Sequence, residues 1–242
     1  KWIGTEGGIT KYNGKTFEYI KPGKNYPDLK NENIEKLFVD KDNNLWIGTK
    51  SGGISRLDIV SDSIQSFNKI LVPNVTNGIL VMSITQDSLG YIWVGTYSNG
   101  VYVFNAEGKG NLIRHIPAKT PVLEILLDSF GNIWFGESNF LIKYEHKDDT
   151  LTKFNVGRPI TDIIEDRSRG KLWIATNGKE YSYLVKDYFE PHLDIDFFDF
   201  NTGKIDKIYT GVSSDYARYL ALDIENRLLI GTWGNGIYRS NQ

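Results

Sequence analysis

"DNNLWIGTKSGGISRLD" spans residues 42–58, and the chain opens on a shorter version of it, "KWIGTEGGITKY", at Lys1. The phrase returns as "YIWVGTYSNGVYVF" at Tyr91, "NIWFGESNFLIKY" at Asn132, "KLWIATNGKEYSY" at Lys171 and "RLLIGTWGNGIYRS" at Arg227. Six copies of one phrase make this a repeat protein, to be read by its period before anything else. Successive tryptophans stand 44, 47, 41 and 39 residues apart, and Leu229 takes the tryptophan place 56 residues after Trp173.

A second register runs through the copies. Asp40, Asp87, Asp128 and Asp223 lie six residues before Trp46, Trp93, Trp134 and Leu229, and Gly or Asn follows each Asp by three. In the fifth copy the Asp166 turn is one residue longer. Asp can bond its own downstream backbone and Gly or Asn tolerates positive φ, so each is a hairpin turn. Short runs rich in β-branched and aromatic residues flank these turns, such as "NIEKLFV" before one and "GVYVF" after another. They are strands, and no segment sustains a 3.6-residue period. Each unit is therefore four antiparallel strands, A to D, with Asp at the A–B turn and tryptophan in strand B. Four strands in roughly 40–50 residues is the period of a β-propeller blade.

The expected architecture is all-β, with blades over residues 1–21, 31–68, 79–116, 122–155, 160–210 and 217–242 of a single propeller region. The first copy lacks strand A and the last lacks strand D, which reads as part of a larger array cut from a longer protein. Trp2, Trp46, Trp93, Trp134 and Trp173 are expected between blades. The glycine of Trp-Ile-Gly-Thr is expected to let the neighbouring sheet approach.

Composition narrows the function classes. A net charge of −2 with scattered basic residues gives no footprint for nucleic acid. Cysteine is absent, which removes disulfides, thiolate metal sites and a cysteine nucleophile. No apolar run approaches the roughly 18 residues a membrane span needs. His115, His146 and His192 fall on an outer strand, a C–D turn and a loop, so no metal site, cofactor or shared acid–base role is expected.

The residues 31–58, with Asp-x-x-Asn-x-Leu-Trp-Ile-Gly-Thr followed by Gly-Gly-Ile, resemble the two-component regulator propeller repeat, and the likeness extends along nearly the whole chain. The resemblance implies the periplasmic sensor region of a hybrid two-component histidine kinase of Bacteroides-type bacteria. Such regions detect oligosaccharides from complex glycans, with any kinase activity in other parts of the protein. It implies further blades and domains as partners, and allows a homodimer. Phe135 and Glu137, Ala175 and Leu229 depart from the repeat pattern.

Residues that break the repeat are the better candidates for binding. The residue after Gly-Thr is aromatic in two copies, Tyr97 and Trp233, each with an asparagine two positions on, Asn99 and Asn235. Rings can stack on the apolar face of a sugar while amides bond its hydroxyls. Both rings could equally cap their blades. The fifth copy carries an insertion, Gly178 to Asp194, expected in its B–C loop and bringing Tyr188, Phe189 and His192 to the same face. It could instead be a hairpin packed on its neighbour or a contact with another domain. The leading reading is a non-catalytic sensing module for an oligosaccharide. The alternatives are a protein-interaction scaffold and a propeller enzyme similar to the streptogramin lyases, whose repeats resemble "GNIWFGES" at Gly131.

Overall fold

A computed structural model describes residues 1–68, 78–105, 107, 110–176, 192–213 and 217–240, apart from the side chains of 192–194 and 209–213. It forms two compact units, Lys1–Ile125 and Leu126–Gln242, and each is described by itself.

Every sheet is antiparallel with its strands in chain order. The first has three strands, β1 (Trp2–Thr5), β2 (Gly8–Tyr12) and β3 (Phe17–Ile20). The second is β4 (Ile34–Val39), β5 (Asn44–Thr49), β6 (Ile54–Asp58) and β7 (Ser63–Ser66), and the third β8 (Val81–Gln86), β9 (Ile92–Thr96), β10 (Val101–Asn105) and β11 (Asn111–Ile116). The fourth is β12 (Ile125–Leu127), β13 (Ile133–Glu137), β14 (Phe140–Glu145) and β15 (Thr150–Asn155). The fifth is β16 (Ile160–Asp166), β17 (Lys171–Thr176), β18 (His192–Asp199) and β19 (Lys204–Ser213). The last is β20 (Ala217–Leu222), β21 (Leu228–Thr232) and β22 (Ile237–Arg239). These are propeller blades, and the fold class is the all-β one read from the repeat.

One boundary needs correction. β18 begins at His192, so residues 192–194 belong to strand C and pair with β19 instead of extending the B–C loop. The strand opens with a register shift between His192 and Asp194, and the turn-like Pro191 before it disguises its start in the sequence.

The Asp turn is built the same way in the second, third, fourth and last sheets. Asp40 Oδ1 accepts the backbone N–H groups of Asp42 (3.0 Å) and Asn44 (2.8 Å), and the chain reverses through Asn43 at φ 63°. Gly90, Gly131 and Asn226 take the same left-handed place, and in the longer turn of the fifth sheet, where Asp166 Oδ1 accepts from Ser168 Oγ and the Arg169 N–H, Gly170 takes it one residue later. The other carboxylate oxygen does something the spacing alone did not announce. Asp40 Oδ2 accepts the indole N–H of Trp46 at 2.8 Å, Asp87 that of Trp93 at 2.7 Å, Asp128 that of Trp134 at 2.7 Å, and Asp166 that of Trp173 at 3.1 Å. Six residues, or seven across the longer Asp166 turn, is the distance from turn to mid-strand that lets one carboxylate serve both.

The tryptophan then meets the next sheet. Trp46 is fully buried in a cluster with Val81, Ile84, Val94 and Phe104 of the third sheet. Trp134 shares a core with Ile160, Ile163 and Ile174, and Trp173 with Ala217, Leu220 and Ile230. A β-carbon on Gly48 would lie 2.5 Å from Val81 Cγ1, and one on Gly136 2.7 Å from Ile160 Cβ. The glycine is thus the gap into which the next blade's first β-branched residue fits. In the fifth blade Ala175 replaces that glycine, and the facing position carries Ala217 in the same core. Two departures from the repeat compensate each other.

The first strand of four blades contains a bulge, between Ile34 and Lys36, Val81 and Ser83, Ile160 and Asp162, and Ala217 and Tyr219. A bulge re-aims a side chain and frees a ladder N–H. Ser83 Oγ accepts the Ile125 N–H at 2.9 Å, and Asp162 Oδ2 accepts the Leu220 N–H at 2.6 Å, so the re-aimed side chain bonds the next first strand. Lys36 carries no acceptor, and its ammonium pairs with Glu124 at 2.8 Å.

Candidate functional site

The B–C turns hold the side chains singled out by their departure from the repeat. Their geometry follows from Gly-Thr and the later glycine. Thr96 Oγ1 donates to the Gly100 carbonyl at 2.8 Å and accepts the Asn99 N–H at 3.0 Å, while Gly100 takes φ 77°. Thr232 does the same with Gly236 and Asn235, at 3.0 and 3.1 Å. Thr49 repeats the arrangement with Gly53 and Gly52. The threonine fastens the turn's two ends together and leaves its first residue outside the ladder. That is why Tyr97 is 50% exposed and Trp233 71%, although both are large aromatics.

In the first unit, Tyr97 donates its backbone N–H to the Leu80 carbonyl at 3.0 Å. Asn99 Oδ1 accepts from Ser98 Oγ, and its carbonyl lies 2.7 Å from His115 Nε2. The His115 ring stacks on Tyr102 at 4.3 Å, and burial pushes the Tyr102 phenol above its ordinary range. Ser83, Glu124 and Lys36 sit together in the same unit, with Ser83 Oγ 3.2 Å from Glu124 Oε1.

In the second unit, Trp233 has a neighbour the sequence did not single out. The Arg218 guanidinium stands 5.4 Å from its ring and 5.8 Å from that of Tyr219, which is 66% exposed. A cation between two exposed rings is a platform that can stack on an apolar face and donate several hydrogen bonds at once. Tyr219 holds the place after the bulge, where the other blades carry Lys36, Ser83 and Asp162, so an aromatic there was the available signal.

The remaining candidates divide plainly. Tyr188 and Phe189 lie outside the described residues, and of His192 the backbone alone is described, opening β18. Tyr97 with Asn99 belongs to one unit and Trp233 with Asn235 to the other. Among the described residues no three His, Asp or Glu side chains are grouped to hold a metal ion, and no helix is long and apolar enough to cross a membrane.

With this geometry, comparison with known proteins is informative. Residues 28–51 and 76–98 match the two-component regulator propeller family. The chain is similar to histidine kinase P4 of Formosa agariphila, 30% identical over 165 residues, which is 64% of this chain and 12% of that protein. Over its whole length the chain is similar, at 25% identity and a TM-score of 0.77, to the extracellular domain of a putative hybrid two-component system of B. thetaiotaomicron. It spans 32% of that structure. The chain is also similar to virginiamycin B lyase of Staphylococcus aureus at 18% identity and a TM-score of 0.68, over 99% of this chain and 79% of that one, a likeness of fold alone.

Proposed function

We propose that these repeats belong to the extracytoplasmic, ligand-sensing region of a two-component sensor, that the ligand is an oligosaccharide, and that this region does no catalysis. The observation that carries the reading is the B–C turn. One fastened turn geometry presents Tyr97 in one unit and Trp233 in the other at the same repeat position, exposed, each beside an asparagine. Rings of this kind bury the apolar face of a pyranose, and Arg218 beside Trp233 adds charge-assisted donors for hydroxyl or carboxylate groups. The similarity to an extracellular domain of a putative hybrid two-component system supports the location and the sensing role. Signalling then passes by rearrangement of domains or of a dimer, since packed blades do not deform continuously.

The lyase reading asks for a reactive centre. A catalytically inactive form of the virginiamycin lyase carries a histidine-to-alanine substitution. Here His115 is engaged with the Asn99 carbonyl and stacked on Tyr102, an arrangement that fixes a turn. The deciding experiment is a thermal-melt screen of the protein against neutral and acidic oligosaccharides, with Tyr97→Ala and Trp233→Ala alongside. A ligand that binds the native state alone raises the melting temperature by mass action. A shift from one glycan class, lost in either variant, supports the reading. Shifts from a protein partner and from no sugar favour the interaction scaffold instead.

A further inference from the structure

The first strand of the last sheet carries its bulge between Ala217 and Tyr219, so Arg218 is the extra residue. A residue at that place has no cross-strand partner, and its side chain takes a direction the ladder does not dictate. The fifth sheet fixes the backbone on both sides of it. Thr161 Oγ1 donates to the Ala217 carbonyl at 2.7 Å, and Asp162 Oδ2 accepts the Leu220 N–H at 2.6 Å. Trp233 stands on an equally fixed support, the turn that Thr232 closes with Gly236 and Asn235. Two anchored pieces of backbone thus bring guanidinium and indole together, 5.4 Å apart.

What Arg218 lacks is a counter-charge. In the same unit Arg158 holds Asp196 at 3.2 Å, Arg169 holds Asp166 at 2.7 Å and Arg227 holds Asp223 at 2.7 Å. No carboxylate among the described residues pairs with Arg218, which meets instead the exposed rings of Tyr219 and Trp233. Arg218 is half-buried, so its charge is held at the turn and not merely turned into water. The arrangement is particular to this blade. The extra residue of the bulge is Glu35 in the second sheet, Met82 in the third and Thr161 in the fifth. The sheet that carries Tyr97 therefore has a thioether at the strand position where the sheet that carries Trp233 has a guanidinium.

We infer that the Trp233 turn selects an acidic saccharide, binding the carboxylate of a uronic acid residue through Arg218 while Trp233 stacks on the sugar ring. A guanidinium offers donors in a planar fork and no acceptor. A sugar hydroxyl satisfies one of those donors and finds no use there for its own hydrogen. A carboxylate accepts two at once, in charge-assisted bonds. A uronic acid carries that group on the carbon next to its ring, so one residue can reach the indole and the guanidinium together. A neutral residue gains the stacking and little from the charge. This rests on the sensing reading above and adds to it the charge of the ligand.

The test is calorimetric titration of the protein with three matched oligosaccharides, a neutral one, its uronic acid counterpart and its sulfate ester, beside a glutamate-rich peptide. The titrations are run on the wild type, Arg218→Met, Arg218→Lys, Trp233→Ala and Tyr97→Ala. Arg218→Met copies the residue of the third sheet, and Arg218→Lys gives a second reading should that variant fold poorly. We expect the uronic acid to bind the wild type at least about tenfold more tightly than its neutral counterpart. We expect Arg218→Met to bring the two affinities together, and Arg218→Lys to keep only part of the difference, since an ammonium lacks the fork. Trp233→Ala should weaken both sugars, and Tyr97→Ala should leave the preference as it is. Equal affinity for acidic and neutral sugars in the wild type overturns the inference, as does a preference that survives Arg218→Met. Tighter binding of the sulfate ester than of the uronic acid overturns it too, because the recognised group is then a sulfate. If neutral and acidic sugars bind alike and Tyr97→Ala or Trp233→Ala weakens both, the sensing reading stands and this inference falls. If no sugar binds, both fall, and capture of the acidic peptide through Arg218 would then assign the platform to a protein partner.

Discussion

In the second sheet, Asp40 gives one carboxylate oxygen to the turn and the other to the indole of Trp46, which is fully buried against the third sheet. In the last sheet, Asp223 keeps the turn, accepting the Glu225 and Arg227 N–H groups, but Leu229 stands where the tryptophan would be. The freed oxygen accepts from Arg227 Nε at 2.7 Å. Gly48 has Val81 of the next sheet pressed against it, whereas a β-carbon on Gly231 would meet nothing nearer than Tyr219 of its own sheet, at 3.6 Å. Aspartate, tryptophan and glycine are therefore one device. The aspartate satisfies the buried indole, the indole fills the seam, and the glycine admits the next sheet. In the last sheet, with leucine at the tryptophan place, the aspartate turns to Arg227.

The comparison breaks most visibly at the tryptophan. Trp46→Ala opens a void in a cluster that spans two sheets and is expected to cost about 3–5 kcal/mol, read as a lower midpoint in chemical denaturation. Leu229→Ala, on the last sheet, should cost clearly less, because Leu229 is only partly buried. Asp40→Ala is expected to come next. It strands the indole N–H in the core and removes the acceptor of two turn N–H groups, and at about 1–3 kcal/mol for a buried unsatisfied group the loss should exceed that of an ordinary surface aspartate. Equal costs for Asp40→Ala and Trp46→Phe would show that the hydrogen bond, and not the turn, carries the effect.

The glycine gives a sharper test because the molecule already contains its solution. Gly48→Ala is expected to destabilise by about 1–3 kcal/mol through overpacking against Val81. Adding Val81→Ala should recover much of that loss, since Ala175 and Ala217 make the same pairing in the fifth blade. Gly231→Ala should stay within about 0.5 kcal/mol of wild type. A double-mutant cycle with no coupling between residues 48 and 81 would sink the account of the glycine as a seam.

Much of this architecture was legible in sequence, and for a physical reason. Turn chemistry is local, so Asp40 and Asn43 or Asp87 and Gly90 announce hairpins at fixed spacing, and the repeat multiplies the signal. The bulges were not legible, because they come from how adjacent first strands curve past each other, and Lys36, Ser83, Asp162 and Tyr219 share no residue type. The Asp–Trp bond was half legible: the spacing of six, seven in the fifth copy, was plain, but its cause was not. For the candidate site, Tyr97 and Trp233 stood out as exceptions within a turn the repeat defines. Arg218 did not, because its relation to Trp233 crosses from one strand to the next turn. The start of β18 was misread because Pro191 looks like loop and the strand beyond it is longer than the third strand of the other blades.

The smallest effect concerns the charge of the two turn aspartates that contact arginine, Asp166 and Asp223. For Asp166, burial pushes the carboxyl up, but hydrogen bonds from Ser168, Arg169 and Trp173 outweigh it and hold the group below the ordinary carboxylate range. For Asp223, the Arg227 backbone N–H is the main cause of a lowered value, opposed by burial and helped by the Arg227 side chain. Both folded carboxyls are depressed, so as pH falls below about 4 the unfolded chain takes up protons first. Their contribution is present in full at neutral pH and is lost as pH drops from there through the folded values. Arg227→Met removes the guanidinium but keeps the backbone N–H that matters most, so the Asp223 carboxyl should rise only part of the way to its ordinary value. Carboxyl carbon shifts followed by NMR through the acid range would read this directly. A rise all the way would mean that the surface cation holds the aspartate once the indole is gone. A partial rise would mean that the turn's backbone N–H groups hold Asp223, and that arginine there takes an oxygen the turn leaves over.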